Sequence, residues 1–230
     1  PRSTPLYSSA ASDVYKRQLI WLSTPILFHE WRNTMPYGRI TRVTFDPSRY
    51  DEMMSVAKNV DFSGWSGLRV LSVTRIAEDR LGIVAGYEDK AAADANAEKA
   101  KITLGTMVEF MTEEPFVREG EVIWGFDGDQ SLVPGYVRHV FVDIDPAKYD
   151  ALMSFFDTTT EKFNGVPGLR SVRLARILEN RISSMAVYDN KASADAGQEN
   201  LRTIMGGMAE FVTGDYNIRE GEEILRHDYR

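Results

Sequence analysis

The sequence predicts an α+β protein made of two similar units in tandem, each with the order strand, helix, strand, strand, helix, strand. Three observations lead to this prediction: an internal duplication, the same succession of β-rich and helix-like segments in both copies, and ample core material. The chain has 230 residues, of which 43% are hydrophobic and 11% aromatic. Such a composition excludes disorder as the main state.

The duplication extends from residue 37 almost to the end. Residues 37–55 align with 136–154, and 67–124 align with 168–225. Both copies carry Asp-Pro-x-x-Tyr-Asp and Arg-Glu-Gly-Glu. A period near 100 residues is longer than solenoid repeats, so it indicates two whole domains. We expect units at 35–126 and 136–230, with a Gly- and Asp-containing linker at 127–135.

Each copy contains the same elements in the same order. A β-branched strand (37–45, 136–144) stops at Asp-Pro, which caps and starts a helix. Two strands (68–77 and 81–88 in copy one) are joined by a link so short that they must form an antiparallel hairpin. Asp89 and Asn190 then stand as N-caps of an Ala-rich helix, and a last strand (117–126, 218–227) ends the unit.

This order is the ferredoxin-like βαββαβ pattern, in which two helices cover one face of a four-stranded antiparallel sheet. The other face needs cover. Two units in one chain can supply it to each other, so the predicted fold is two tandem ferredoxin-like units packed sheet to sheet as an intramolecular dimeric α+β barrel.

Residues 1–34 differ from the rest of the chain. They hold no Met, are rich in Ser, and include the apolar run 19–28 after Lys16 and Arg17. A signal peptide is one interpretation. A disordered or non-native leader, with Met35 as the natural start, is the favoured one.

Composition excludes several function classes. Asp and Glu outnumber Lys and Arg by 34 to 27, a net charge of −7 that argues against a nucleic-acid partner. There is no Cys and there are three His, so thiolate and metal chemistry are poorly supplied. No apolar run approaches the roughly 20 residues of a membrane helix. We expect a cytoplasmic protein with no membrane partner.

Weak motifs recur in both copies: Asp-Pro after the first strand, a Gly-Leu turn into the second, and Asp/Asn-Lys-x-x-Ala-Asp at 89–94 and 190–195. With them the chain resembles, over residues 37–227, two copies of the antibiotic biosynthesis monooxygenase domain of the dimeric α+β barrel superfamily. The resemblance implies one of three things: oxidation of polycyclic aromatic molecules by oxygen without a cofactor, haem degradation, or no established reaction, as for many members of the family. The haem-degrading type carries a His on the second long helix, and 90–111 and 191–212 have none.

The resemblance also implies Asn, Trp and Tyr side chains around the substrate. In copy one these are Asn59, Trp65 and Tyr87, and Val166 replaces Trp65 in copy two, so at most one half keeps a Trp-lined site. Tyr87 recurs as Tyr188, which fits either substrate binding or packing.

A cofactor-free oxygenase needs a general base. His139 is the candidate catalytic residue, because it stands on the first strand of copy two where copy one has Ile40, and its ordinary pKa suits the task. A structural His is the alternative. Strand parity places Arg42, His139 and Phe141 on the face opposite the helices, where they would look into the space between the sheets.

Four arginines also recur, as Arg69 with Arg170 and Arg75 with Arg176. They would either clamp an anionic ligand or, as we favour, pair with the repeated glutamates of Arg-Glu-Gly-Glu.

The sequence therefore predicts a cofactor-independent monooxygenase-like protein, with no metal. Its partner would be a small aromatic or polyketide-like molecule held between the two sheets. The alternative is a non-catalytic small-molecule-binding or stress-associated barrel. Beyond the pseudo-dimer within one chain, a further homodimer remains open.

Overall fold

A computed structural model describes residues 36–229 of the chain. The predicted leader, residues 1–34, lies outside them. The eight strands are β1 Tyr37–Thr44, β2 Leu68–Ala77, β3 Arg80–Tyr87, β4 Phe116–Asp127, β5 Tyr136–Asp143, β6 Leu169–Leu178, β7 Arg181–Tyr188 and β8 Asn217–Asp228. The α-helices are α1 Tyr50–Lys58, α2 Lys90–Ala95, α3 Ala97–Gly105, α4 Tyr149–Thr159, α5 Lys191–Ala196 and α6 Gln198–Met205. Within this range, no helix has the length and apolar character needed to cross a membrane.

All eight strands form one closed barrel in the order β1-β3-β2-β8-β5-β7-β6-β4. Each repeat contributes a four-stranded antiparallel sheet, β2-β3-β1-β4 or β6-β7-β5-β8. Two seams between repeats, β2 with β8 and β4 with β6, close the barrel. The chain is thus α+β, with two tandem βαββαβ units, as the sequence predicts. The two sheets do not merely stack, because they share one hydrogen-bonded ladder.

The helix starts follow from the side chains at their caps. Asp46 and Asp145 accept hydrogen bonds from the backbone N–H of Ser48 and Ala147, in short 3-10 turns that lead into α1 and α4. Asp89 and Asn190 cap α2 and α5 in the same way. The predicted single Ala-rich helix is divided in each copy, at Asn96 and at Gly197. At the break in the first copy, the side-chain amide of Asn96 donates to the carbonyls of Ser66 and Ala92, each at 2.8 Å.

Alternate residues of β1 and β5 face opposite sides of the barrel wall. Val43 and Phe45 pack outward against Met53 and Met54 of α1, in the core of the first repeat. In the second repeat Val142 packs outward in a larger core that includes helix residues such as Leu152 and Phe156. The side chains at the alternate positions of these strands, including Arg42 and His139, face the barrel interior, as strand parity predicts.

The favoured pairing of the recurrent arginines with the repeated glutamates is wrong. Arg75 stacks over the ring of Tyr50 at 4.0 Å and donates to the carbonyl of Glu78. Arg176 makes the equivalent contacts with Tyr149 and Glu179. The repeated glutamates pair instead within their own repeats, Glu119 with Arg39 and Glu220 with Arg138, each at 2.5 Å. The other two recurrent arginines pair with carboxylates outside the motif, Arg69 with Glu88 and Arg170 with Asp228 at 4.0 Å.

Candidate functional site

Two cavities concern the predicted site, and the larger of them lies in the second repeat, between the outer face of its sheet and its helices. Its volume is about 590 Å³. The floor consists of strand side chains, among them Val140, Leu174 and Ser184, and the roof of α6 side chains such as Leu201 and Met205. The sheet and helices are both amphipathic, so their apposed faces give this space a mainly apolar wall.

An aromatic cluster lines part of the cavity. Trp124 lies 5.1 Å from Phe156 and 5.3 Å from Phe163, measured between ring centroids. Trp124 belongs to β4, a strand of the first repeat, and reaches this wall because β4 pairs with β6 of the second, opposite Leu174. Its side chain is 5% exposed, and its indole Nε1 has no hydrogen-bond partner among residues 36–229. The buried indole N–H is therefore a donor without a partner in a residue that lines the apolar cavity.

An ion pair supplies the polar part of the wall. Arg138 Nε donates to the Glu220 carboxylate at 2.5 Å, and both residues line the cavity. Behind them, burial raises the pKa of Tyr188 to about 12, although the charge of Arg138 acts in the opposite direction. Tyr188 is therefore protonated at neutral pH. The site offers a carboxylate, a guanidinium and an indole N–H around an apolar space.

The second cavity lies inside the barrel, between the two sheets. Its volume is about 180 Å³, below the roughly 300 Å³ of ordinary small-molecule sites. Side chains fill much of the remaining interior: the buried hydroxyl of Ser72 donates to Glu223, which also pairs with Arg226 at 3.1 Å. This cavity is therefore smaller than the pocket for a polyketide-like molecule that the sequence predicts between the sheets.

Comparison with known proteins adds information on the fold. No protein-family model and no curated protein matches the chain. Among solved structures, a candidate monooxygenase from Fusobacterium nucleatum subsp. nucleatum aligns with a TM-score of 0.69 and 12% identity, covering 85% of this chain and 95% of its own. An anthrone oxidase-like protein aligns with a TM-score of 0.58 and 16% identity, covering 84% and 93%.

A third structure names the fold. It is a ferredoxin fold protein related to antibiotic biosynthesis monooxygenases, from Listeria monocytogenes, with a TM-score of 0.52, 12% identity, and coverage of 84% of this chain and 96% of its own. The chain shares the ferredoxin-like α+β fold of these structures. At these identities the likeness concerns the fold alone.

The α+β barrel brings three of the predicted site residues together. Arg42, His139 and Phe141 all line the smaller, interior cavity. His139 is 3% exposed, and burial, with a contribution from the charge of Arg219, lowers its pKa to about 4. The catalytic role of His139 stays a prediction, and its side chain does not line the larger cavity.

The other four predicted residues line neither cavity. Asn59 is exposed after the end of α1 and donates to the carbonyl of Ser55 at 2.8 Å. Trp65 packs edge-on against Phe62 at 5.2 Å, in a core cluster with Tyr87. Tyr87 is 1% exposed, and burial raises its pKa. Tyr188 lies buried behind Arg138. Their substrate-binding roles remain predictions.

Sequence reasoning missed Trp124, Glu220 and Ser184 as cavity residues. A comparison of the two copies, position by position, contains a signal for two of them. Trp124 aligns with Leu225, and Ser184 with Ile83, so at both positions only one copy has a polar atom. Glu220 gives no such signal, because Glu119 occupies its position in the first copy.

Proposed function

We propose that this α+β barrel is a cofactor-independent monooxygenase that oxidises a small aromatic or polyketide-like molecule in the larger cavity. The observation that carries the proposal is the cavity itself: about 590 Å³, with an apolar wall, a free indole N–H and an Arg–Glu pair. This volume lies within the roughly 300–1,000 Å³ of small-molecule sites. The names of two structural neighbours, a candidate monooxygenase and an anthrone oxidase-like protein, support the same class.

The proposed chemistry needs a base and donors for negative charge. For an anthrone-type substrate, the base removes a proton from an activated CH₂ group and the carbanion adds O₂. The peroxide anion takes that proton back from the base, and the hydroperoxide then loses water with its remaining C–H proton, so one O₂ yields one C=O group and one H₂O. Glu220 is the base in this proposal. The Arg138 guanidinium and the Trp124 indole N–H stabilise the negative charge that develops on the substrate oxygen.

His139 would be the base only for a substrate that reaches the barrel interior. A His139→Ala variant with unchanged turnover would remove it from the mechanism. Because His139 and Glu220 line different cavities, variants at the two positions separate the two assignments.

The test measures oxygen uptake and binding with anthrone, after subtraction of its spontaneous oxidation. Trp124→Leu introduces the residue of the aligned position, Leu225. We expect wild-type uptake above the spontaneous rate, and about tenfold weaker anthrone binding in Trp124→Leu because ring contacts and a donor are lost. Trp65→Leu is the matched comparison, since Trp65 lines neither cavity. We expect it to bind anthrone more tightly than Trp124→Leu does.

Each outcome has a clear meaning. Equal losses in Trp124→Leu and Trp65→Leu would contradict the assignment of the larger cavity. Saturable binding without oxygen uptake would favour a binding protein over an enzyme. The absence of both would overturn the proposal.

A further inference from the structure

One mouth of the barrel concentrates positive charge. Arg42 of β1, Arg118 of β4, Arg181 of β7 and Arg219 of β8 all line the interior cavity of about 180 Å³. No lining residue of this cavity, among those that the structure describes, is acidic. The whole chain carries a net charge of −7, so this cluster is opposite in sign to the rest of the protein. We call these four arginines the arginine mouth.

The charges of the arginine mouth are poorly neutralised. Arg181 has a carboxylate, Asp143, at 3.6 Å. Arg42, Arg118 and Arg219 have no carboxylate within ion-pair distance among residues 36–229. Burial and the charges of Arg42, Arg80 and Arg181 lower the pKa of Arg219, which agrees with like charges facing one another.

Aromatic rings lie next to three of the guanidinium groups. Arg42 and Arg118 lie over the ring of Phe116, at 5.1 and 4.1 Å from its centroid. Arg219 lies over Phe141 at 5.5 Å, and its Nε donates to the side chain of Asn217 at 3.1 Å. Cation–π contacts hold the guanidinium groups in place without cancelling their charge.

A buried imidazole faces the same cavity. His139 is directly opposite Arg219 in the β5–β8 ladder. It is 3% exposed, and neither ring nitrogen has a hydrogen-bond partner among the described residues. Buried polar groups in native proteins almost always have partners, and one left without a partner commonly marks a bound water or ion. A neutral imidazole has one N–H to donate.

We propose that the arginine mouth is an oxyanion-binding site, separate from the larger cavity. Arg42, Arg118 and Arg219 bind the anion through charge-assisted hydrogen bonds, and His139 donates its free N–H from below. The site takes either inorganic phosphate or the carboxylate of a small aromatic acid whose ring packs on Phe116 and Phe141. The cavity holds the volume of roughly six waters at about 30 Å³ each, which suits ligands of this size.

An anion should bind here because the guanidinium groups repel one another in a partly desolvated space. An anion among them replaces repulsion by attraction, and the low local dielectric makes that exchange larger than at an open surface. The inference does not rest on the proposed monooxygenase function, because the two sites share no lining residue.

The test is calorimetric titration of the full chain with phosphate and, separately, with benzoate, at constant ionic strength maintained with chloride. We expect saturable binding that weakens about tenfold or more in Arg219→Met and in His139→Ile. His139→Ile introduces the residue of the aligned position, Ile40. Arg69→Met is the matched control: Arg69 is exposed, pairs with Glu88 and does not line the cavity, so its affinity should match wild type within about twofold.

A second measurement does not depend on the folding of Arg219→Met. The chain has three His, so the imidazole ¹⁵N signals of His139 are those missing from the spectrum of His139→Ile. Phosphate should shift these signals in the wild type and in Arg69→Met. Binding of phosphate but not benzoate would assign the site to free inorganic anions, and competition between them would assign it to both. Binding of neither ligand, or a His139 signal unmoved at saturation, would overturn the proposal.

Discussion

The Arg138–Glu220 pair has a natural internal control, because the duplication places the same pair, Arg39–Glu119, in the first repeat. Glu220 lines the larger cavity and Glu119 does not. Both glutamates accept from the Nε of their arginine at 2.5 Å and are partly exposed. The structural cost of removing either carboxylate charge should therefore be similar, so a difference in activity would report on the cavity.

The first prediction uses this symmetry. Glu220→Gln should lower the rate of anthrone oxidation by roughly 100-fold or more, the usual loss when a general base is removed. Glu119→Gln should leave the rate within about twofold of wild type. The two variants should change the thermal stability of the protein by similar amounts. Oxygen uptake and melting curves of the two variants check this. Equal rates in both variants would eliminate Glu220 as the base.

His139 should make the stability of the protein sensitive to acid. Burial, together with Arg219, lowers its pKa from 6.5 to about 4 in the folded chain. Between these values the unfolded chain binds a proton that the folded chain does not. The contribution of His139 to the free energy of unfolding is therefore fully present above pH 6.5 and is lost as the pH falls toward 4.

Replacing His139 should therefore make the stability of the protein less sensitive to acid. In chloride medium, the free energy of unfolding falls for both proteins between pH 7.5 and pH 4.5. We expect the fall to be about 2 to 3 kcal/mol smaller for His139→Ile than for wild type. Urea unfolding at several pH values measures the difference. Parallel pH profiles for the two proteins would show that His139 titrates normally in the fold.

At the scale of elements, the repeated Arg-Glu-Gly-Glu motif has a steric explanation. A Cβ atom on Gly221 would lie 1.8 Å from the carbonyl oxygen of Arg75, and one on Gly120 would lie 2.0 Å from that of Arg176. Both contacts cross a seam between the repeats, β8 to β2 and β4 to β6. Only glycine lets the two strands come this close.

The third prediction is that Gly221→Ala destabilises the protein by about 1 to 3 kcal/mol or more, as overpacking does, because backbone must move at a seam. Gly105→Ala is the control: it ends α3, and an added Cβ there meets no atom within 4 Å. That variant should be neutral or more stable by up to about 1 kcal/mol. Chemical denaturation of the pair decides, and a Gly221→Ala protein as stable as Gly105→Ala would refute the close approach.

For the whole molecule, the seams make the two repeats interdependent. In a second repeat expressed alone, β6 would lack β4 and β8 would lack β2, which leaves two strand edges unpaired. The larger cavity would also lack Trp124, since that residue comes from the first repeat. Both repeats are therefore needed to pair these strands and to line the larger cavity.

The fourth prediction is that residues 128–230 alone self-associate or aggregate, because unpaired edges seek partners. Light scattering after size exclusion measures the mass. Residues 35–230 serve as the control. Their measured mass should equal that of one chain or of a whole number of chains. A stable, monodisperse monomer of the fragment would contradict the interdependence of the repeats.

The sequence alone determined the element order, the caps at Asp46, Asp89 and Asn190, and the side of the sheet that Arg42 and His139 face. These follow from local rules: strand alternation, capping chemistry and a repeat that states each element twice. It also determined the fold, since two bare sheet faces in one chain cover each other.

The position of the larger cavity depends on contacts between distant segments of the chain. Trp124 enters the cavity of the other repeat through the register of β4 with β6, and Arg75 stacks on Tyr50 rather than pairing with a glutamate. Whether a cavity is open depends on how side chains from distant segments fill a volume. Strand register and side-chain packing across the seams set that filling, and no local pattern of residues encodes either one.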